Sequence, residues 1–134
     1  MCLSIVAKSE LSVAQAVFIE ERLLAPEHVD DKGPPMVWRN YTQGLYAVVL
    51  TQSLQPIGLI ELSGSKEWAS PGWWLDKDFR GKGYGTILVD TLAAYLTSEG
   101  YTGAGRITIQ THDHVYDLPS TKLAKRFQRH FPML

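Results

Sequence analysis

Apolar and polar residues follow each other along the chain in patterns that predict strands and helices. Residues 3–7, LSIVA, form a short apolar run typical of a first strand. Apolar residues then recur at helical spacing from Val13 to Leu24, and Ser12 stands before them as a candidate N-cap. The chain therefore begins with a predicted strand and helix.

Three further strand-like stretches follow an irregular segment at residues 25–44. LYAVVLTQ at 45–52 and PIGLIELSG at 56–64 are joined by SLQ, which predicts an antiparallel hairpin. Residues 67–79 also resemble a strand, but Pro71-Gly72 predicts a bulge or bend within it.

The second half of the chain predicts helix, strand and helix. Leu88, Leu92, Tyr95 and Leu96 share one stripe of a helix over 84–98, and RITIQTH at 106–112 is a candidate strand. A final amphipathic helix begins at Pro119 or Ser120, with its cations predicted to face outward: Lys122, Lys125, Arg126 and Arg129. This order predicts a mixed α/β domain.

Composition fits a single soluble domain of 134 residues, with 45% hydrophobic and 20% charged residues. A net charge of -1 gives no general attraction to nucleic acid or membranes, and no apolar run approaches the roughly 20 residues of a membrane span. The one cysteine, Cys2, has no partner for an intramolecular disulfide. The N-terminus lacks a signal-peptide pattern, so we expect a cytoplasmic protein.

Charge is unevenly distributed along the chain. Residues 10–32 contain six acids against Arg22 and Lys32, a net of -4, whereas the segment after Asp117 contains four cations and no acid. Opposite charges of this kind are usually solvated helix faces. They also allow a cationic ligand at one end and an anionic ligand at the other.

The sequence DFRGKGYGT at 78–86 places three glycines and two cations between a strand and a helix. The first N–H groups of such a helix have no partners within it, and glycine lets a ligand approach them. Arg80 and Lys82 strengthen the preference for an anion, so the turn predicts a phosphate site. A purely structural turn with two solvent-facing cations is the alternative.

Glycine spacing argues against two common phosphate motifs. Lys82 lies between Gly81 and Gly83 without the upstream glycine and following hydroxyl of a Walker loop. A dinucleotide fingerprint, G-x-G-x-x-G, that starts at Gly81 needs a small residue at position 86, which is Thr86. One that starts at Gly83 needs a small residue at position 88, which is Leu88. Both registers fail.

Arg80, Gly83 and Gly85 do match R-x-x-G-x-G, preceded by WWLDKDF and followed by an apolar helix. This segment resembles the coenzyme A loop of the GCN5-related N-acetyltransferases, the GNAT superfamily, closely over residues 72–98 and in element order over nearly the whole chain. The resemblance implies a single domain over 1–134 with a mainly antiparallel central sheet flanked by helices (α+β).

The same resemblance implies that the turn amides hold the pyrophosphate of acetyl-CoA and that the preceding strand binds the pantetheine arm. Ser120 lies near the position where the family has an asparagine at the entrance to its last helix. The implied acetyl-CoA residues are Trp73, Trp74, Leu75, Arg80, Gly81, Lys82, Gly83, Tyr84, Gly85, Thr86 and Ser120. The two tryptophans also fit plain alternation across a sheet, with one ring on each face.

The implied reaction is direct transfer of an acetyl group from acetyl-CoA to a primary amine of a small molecule or peptide. Glu61 is a candidate base acting through water, or else an exposed strand residue. His112 is a candidate acceptor-site or basic residue, and Tyr116 a candidate acid, since the last helix has Phe127 and no tyrosine. The weak HDH pattern at 112–114 does not lead us to expect a metal.

Family members usually continue with two more strands, whereas this chain stops at FQRHFPML. We therefore expect a homodimer that buries the C-terminal helix. The acidic N-terminal region favours a cationic amine as acceptor. Two other functions stay open: a catalytically silent acyl-CoA-binding or regulatory module, and a protein-interaction domain with no coenzyme.

Overall fold

Four strands form a single antiparallel sheet in the computed structural model, which describes residues 2–25, 38, 43–103 and 118–129. The strands lie side by side in chain order: β1 (Leu3–Ala7), β2 (Leu45–Leu50), β3 (Pro56–Gly64) and β4 (Ala69–Leu75). Each pairs antiparallel with the next. Together with the helices below, this arrangement confirms the predicted antiparallel sheet flanked by helices.

Helices flank the sheet at the predicted places. They are α1 (Val13–Phe18), α2 (Tyr84–Ser98) and α3 (Leu118–Gln128), with short 3-10 turns at Lys8–Glu10 and Lys77–Phe79. Ser12 caps α1 as expected: its hydroxyl accepts the Gln15 N–H, and the Gln15 side chain accepts the Ser12 N–H. The predicted single helix over 12–24 instead continues past Phe18 as a π-helical turn, Ile19–Leu23.

Two apolar cores cover the two faces of the sheet. On one face, Leu88, Leu92 and Leu96 of α2 and Phe127 of α3 pack with Val48, Ile57, Ile60 and Leu62. On the other face, Ile19 and Leu23 of the π-helical turn pack with Trp38, Leu59 and Trp74. Burial of these side chains from water is the main force holding the helices against the sheet.

The predicted bulge at Pro71-Gly72 is wrong. β4 pairs with β3 without interruption from Ala69 to Leu75. Pro71 stands opposite Leu62, whose N–H donates to the Gly44 carbonyl on the β2 side at 2.7 Å. The nitrogen of Pro71 therefore faces away from β3, where no ladder bond is lost. The register shift lies instead in β2, between Val48 and Val49.

The outer side of β4 meets the chain again after α2, because the Ala69 N–H donates to the Gly103 carbonyl at 3.1 Å. The predicted strand at 106–112 lies outside the described residues. Among the helices that the structure describes, none is long and apolar enough to cross a membrane.

Candidate functional site

The end of β4 is anchored to the sheet by Asp76, which is only 1% exposed. Its N–H donates to the Ile57 carbonyl, and its own carbonyl accepts the Phe79 N–H, both at 2.8 Å. These bonds join the last strand position to the 3-10 turn that follows. The glycine turn thus starts from a fixed backbone.

Arg80 folds back onto β4. Its Nε donates to the Leu75 carbonyl at 2.8 Å, and its guanidinium carbon lies 5.6 Å from the centre of the Trp74 ring. A charged donor and an aromatic face both stabilise this position. Part of the positive charge predicted for the turn therefore lies against the strand.

The glycine turn that precedes α2 is open. Gly81 and Gly83 adopt left-handed φ values of 72° and 87°, which favour glycine, and a Cβ at either position would meet no atom of the described residues within 4 Å. Gly83 is the N-cap of α2, and within the described part of the chain no side chain caps this helix. Its first N–H groups thus lack a side-chain partner, with the exposed Lys82 beside them.

Aromatic packing holds the two ends of the turn together. Phe79 and Tyr84 meet edge to face, with their ring centres 5.3 Å apart. Residues 80–83 lie between these rings in the chain, so the contact closes the base of the loop.

Gly85 faces the last helix. A Cβ at this position would stand 2.9 Å from Cδ1 of Leu123 in α3. Next to this contact, the Trp73 and Phe127 rings lie 6.1 Å apart. The missing side chain of Gly85 thus allows α3 to pack beside the start of α2, a role that the sequence did not indicate.

An ion pair connects α2 with α3. Arg126 donates to both carboxylate oxygens of Asp90, at 2.8 and 2.7 Å, and this hydrogen bonding, reinforced by the charge of Asp90, raises the pKa of Arg126. The Arg126 side chain stays 40% exposed, in agreement with its predicted outward position, but its guanidinium also reaches across to α2. The other three cations are also exposed: Lys122 and Lys125 on α3, and Arg129 directly after it.

Trp73 and Trp74 lie on opposite faces of the sheet, as alternation predicted. Trp73 packs on the α2 and α3 side, while Trp74 is buried on the side of the π-helical turn. The Asp76 N–H donates to the Ile57 carbonyl, and Trp74 stands opposite Leu59 two positions further along the ladder. Trp74 and Leu59 are therefore also a hydrogen-bonded pair. The backbone polar groups of Trp73 and Leu75 therefore face the outer side of β4.

Glu61 is exposed on β3, opposite Gly72 of β4 and Leu45 of β2. Its neighbours Ile60 and Leu62 pack toward α2, so Glu61 points to the other face, the one that contains Trp74. Gly72 leaves space beside it, since a Cβ there would meet only the Glu61 carbonyl, at 4.0 Å. A carboxylate in this position has room for water or a ligand.

Other predicted residues are only partly described. His112 and Tyr116 lie outside the described residues, and Ser120 lies within the first turn of α3. Within the described part of the chain, no group of three or more histidine, cysteine or acidic side chains could hold a metal ion.

The long-range contacts around the glycine turn were not predicted from the sequence. Arg22 of the π-helical turn pairs with Asp78 of the 3-10 turn at 3.0 Å, although 56 residues separate them. No local pattern indicates such a pair. Asp76 had a weak signal, as a polar residue that directly follows an apolar strand.

Solved structures that share this fold include the following three. A protein provisionally described as a phosphinothricin N-acetyltransferase has 19% sequence identity and a TM-score of 0.55, and the match covers 92% of this chain and 81% of that chain. A GCN5-related N-acetyltransferase from Sphaerobacter thermophilus has 16% identity and a TM-score of 0.57, with 92% of this chain and 42% of that chain covered. An acetyltransferase from Agrobacterium tumefaciens str. C58 has 16% identity and a TM-score of 0.56, with 93% of this chain and 78% of that chain covered. At these identities the likeness shows the fold alone.

Family comparison goes further than the fold. A search of curated proteins finds no match to this chain. The model of the acetyltransferase (GNAT) domain, however, matches residues 12–127, which include β2, β3, β4, the glycine turn and most of α3. The chain therefore belongs to the GNAT family of acetyltransferases.

Proposed function

We propose that this protein transfers an acetyl group from acetyl-CoA to a primary amine of a small molecule or peptide. Family membership supports the reaction class. The observation that carries the proposal for this chain is the start of α2, where the described residues provide no side-chain cap and leave open space at Gly81 and Gly83.

The turn fits the pyrophosphate of acetyl-CoA. The N–H groups at the first positions of α2 and the positive end of its dipole favour an anion, and the exposed Lys82 adds a mobile positive charge. Arg80 would act mainly by holding the turn against β4, since its Nε is bonded to Leu75. The outward-facing backbone of Trp73 would hydrogen-bond to the pantetheine arm.

Acyl transfer requires the amine lone pair to attack the thioester carbonyl carbon as the C–S bond breaks. The amine loses a proton, and the coenzyme A thiolate gains one. Glu61 would accept the amine proton through water, because its carboxylate is exposed on the open face beside Gly72. His112 and Tyr116 stay predicted contributors at the acceptor site and at the leaving thiolate.

Charge favours a cationic acceptor. Glu20 and Glu21 are exposed on the π-helical turn, whose core residues pack on the same face of the sheet that Glu61 occupies. An acidic surface attracts polyamine-like or peptide amines and raises their association rate.

A transfer assay tests this function. The protein and acetyl-CoA are incubated with a panel of cationic and neutral amines, and acetylated products are detected by mass spectrometry. A thiol reagent for released coenzyme A is not used, because it would also react with the exposed Cys2 thiol. We expect acetylation of at least one cationic amine. Glu61→Gln should reduce turnover by roughly 100-fold or more if the carboxylate is the base, with unchanged acetyl-CoA affinity.

Calorimetric titration of acetyl-CoA, carried out beside this assay, separates the alternatives. Acetyl-CoA binding without acetylation of any amine would support a silent binding module. A folded protein that neither binds acetyl-CoA nor acetylates amines would contradict the proposal and favour an interaction domain.

A further inference from the structure

β1 forms one edge of the described sheet. The order is β1-β2-β3-β4, and the outer side of β4 is already approached by Gly103 of the same chain. β1 pairs only with β2 among the described strands. An edge strand presents a row of backbone groups that another strand can bond.

The pairing register identifies which groups of β1 point outward. The Thr51 N–H donates to the Cys2 carbonyl at 3.0 Å, and Cys2 stands one position before the Leu3–Leu50 pair. Because antiparallel pairs alternate, Cys2, Ser4 and Val6 bond toward β2. The N–H and C=O groups of Leu3 and Ile5 and the N–H of Ala7 therefore face away from the sheet.

Within the described residues, this edge lacks the usual protection against strand pairing. Residues 2–7, CLSIVA, contain no charged residue and no proline, and β1 pairs with β2 without a register shift. Natural edge strands usually carry a charge, a proline or a bulge that prevents pairing with another chain. The sequence of β1 thus permits pairing.

The outward groups complement a second copy of themselves. Two antiparallel β1 strands related by a two-fold axis at Ile5 place Ile5 opposite Ile5 and Leu3 opposite Ala7. Two Ile5–Ile5 bonds form, and each Ala7 N–H donates to the Leu3 carbonyl of the other copy. A closed two-fold dimer needs this kind of self-complementary surface.

We propose that two copies of this chain pair through β1, joining the four described strands of each copy into one continuous antiparallel sheet. β1 suits this contact better than the described face of α3, the surface expected from the sequence. Lys122 and Lys125 are exposed on α3, Arg129 is exposed directly after it, and two copies of that face would repel. The dimer does not depend on the proposed enzymatic function.

Ala7→Pro tests the interface directly. Ala7 has φ -60° and ψ 143°, which proline adopts without strain, and its N–H faces away from β2. The substitution removes two of the four proposed intermolecular bonds and leaves the bonds within the sheet intact. We expect the dimer dissociation constant, measured by analytical ultracentrifugation over a dilution series, to rise at least about tenfold.

Ala7→Ser is the matched control, because it keeps the N–H, and its dimer constant should equal that of the wild type. Thermal unfolding of all three proteins checks that Ala7→Pro is folded. A wild type that stays monomeric, or a folded Ala7→Pro that dimerises as the wild type does, overturns the proposal.

The single cysteine gives a second, independent readout. In the proposed register the two Cys2 residues are offset by six positions, so their Cα atoms lie roughly 20 Å apart. Pulsed electron paramagnetic resonance between spin labels attached to the two Cys2 residues of the dimer should show this separation. A dimer without it uses another surface, which would contradict pairing through β1.

Discussion

Gly85 at the start of α2 lies against Leu123 of α3 so closely that a Cβ on the glycine would stand 2.9 Å from Cδ1 of the leucine. The contact allows α3 to approach the turn proposed to hold acetyl-CoA. Packing between the two helices thus depends on a residue that the sequence associates only with the ligand.

Gly85→Ala should change the free energy of unfolding by less than about 1 kcal/mol, since the cost of moving the end of the Leu123 side chain is offset by the better helix propensity of alanine. Thermal and denaturant unfolding measure the change. Leu123→Ala is the matched partner: the double variant should be more stable than the sum of the two single changes predicts. Simple additivity would mean that the two side chains do not compete for space.

Arg80 and Lys82 should behave differently although both are cations of the same turn. Arg80→Lys loses the Nε bond to Leu75 and the stacking on Trp74, so we expect a loss of about 1 kcal/mol in unfolding free energy. Lys82→Gln should leave stability unchanged, because its side chain is exposed. It should instead weaken acetyl-CoA binding a few-fold, with a smaller effect at high salt. Equal stability losses in both variants would contradict this division.

Tyr95 should make stability depend on alkaline pH. Burial first, and then neighbouring Tyr46, raises the pKa of Tyr95 from 10.0 to about 12. Above pH 10 the unfolded chain releases this proton while the folded protein keeps it, so stability falls as pH rises from 10 to about 12.

The control for this effect is Tyr95→Phe, which removes the hydroxyl and keeps the ring. In the wild type this ring packs on Tyr46 with the ring centres 5.6 Å apart. Melting temperatures across this pH range should fall less steeply for the variant. Some slope should persist, because burial also raises the pKa of Tyr101. Identical slopes for the two proteins would show that Tyr95 ionises equally in the folded and unfolded states.

Local signals predicted much of the fold. Ser12 and Gln15 form the cap that marks the start of α1, and glycines flank α2 at Gly83 and Gly100, so its limits followed from sequence. The short turn between β2 and β3 likewise fixed the hairpin. Pro71 led to the wrong prediction of a bulge, because strand propensity does not show which way a backbone nitrogen faces in a sheet.

The arrangement around the site was less accessible to sequence reasoning. Asp90 and Arg126 are 36 residues apart, and the partners of the Arg22–Asp78 pair are 56 residues apart, so only the folded chain brings them together. A glycine-rich motif also cannot distinguish glycines that face a ligand from one that faces a helix. Gly81 and Gly83 are open, whereas Gly85 is packed.

The most direct test of the account is calorimetric titration of acetyl-CoA into the wild type, Gly83→Asn and Gly83→Asp. Asparagine and aspartate tolerate the left-handed φ of 87° similarly, so the two variants differ mainly in charge at the mouth of the turn. The wild type should bind, Gly83→Asn should bind more weakly, and Gly83→Asp should lose at least about another tenfold through repulsion of the pyrophosphate. Equal affinities for the two variants, or no binding by a folded wild type, would contradict a coenzyme site at this turn.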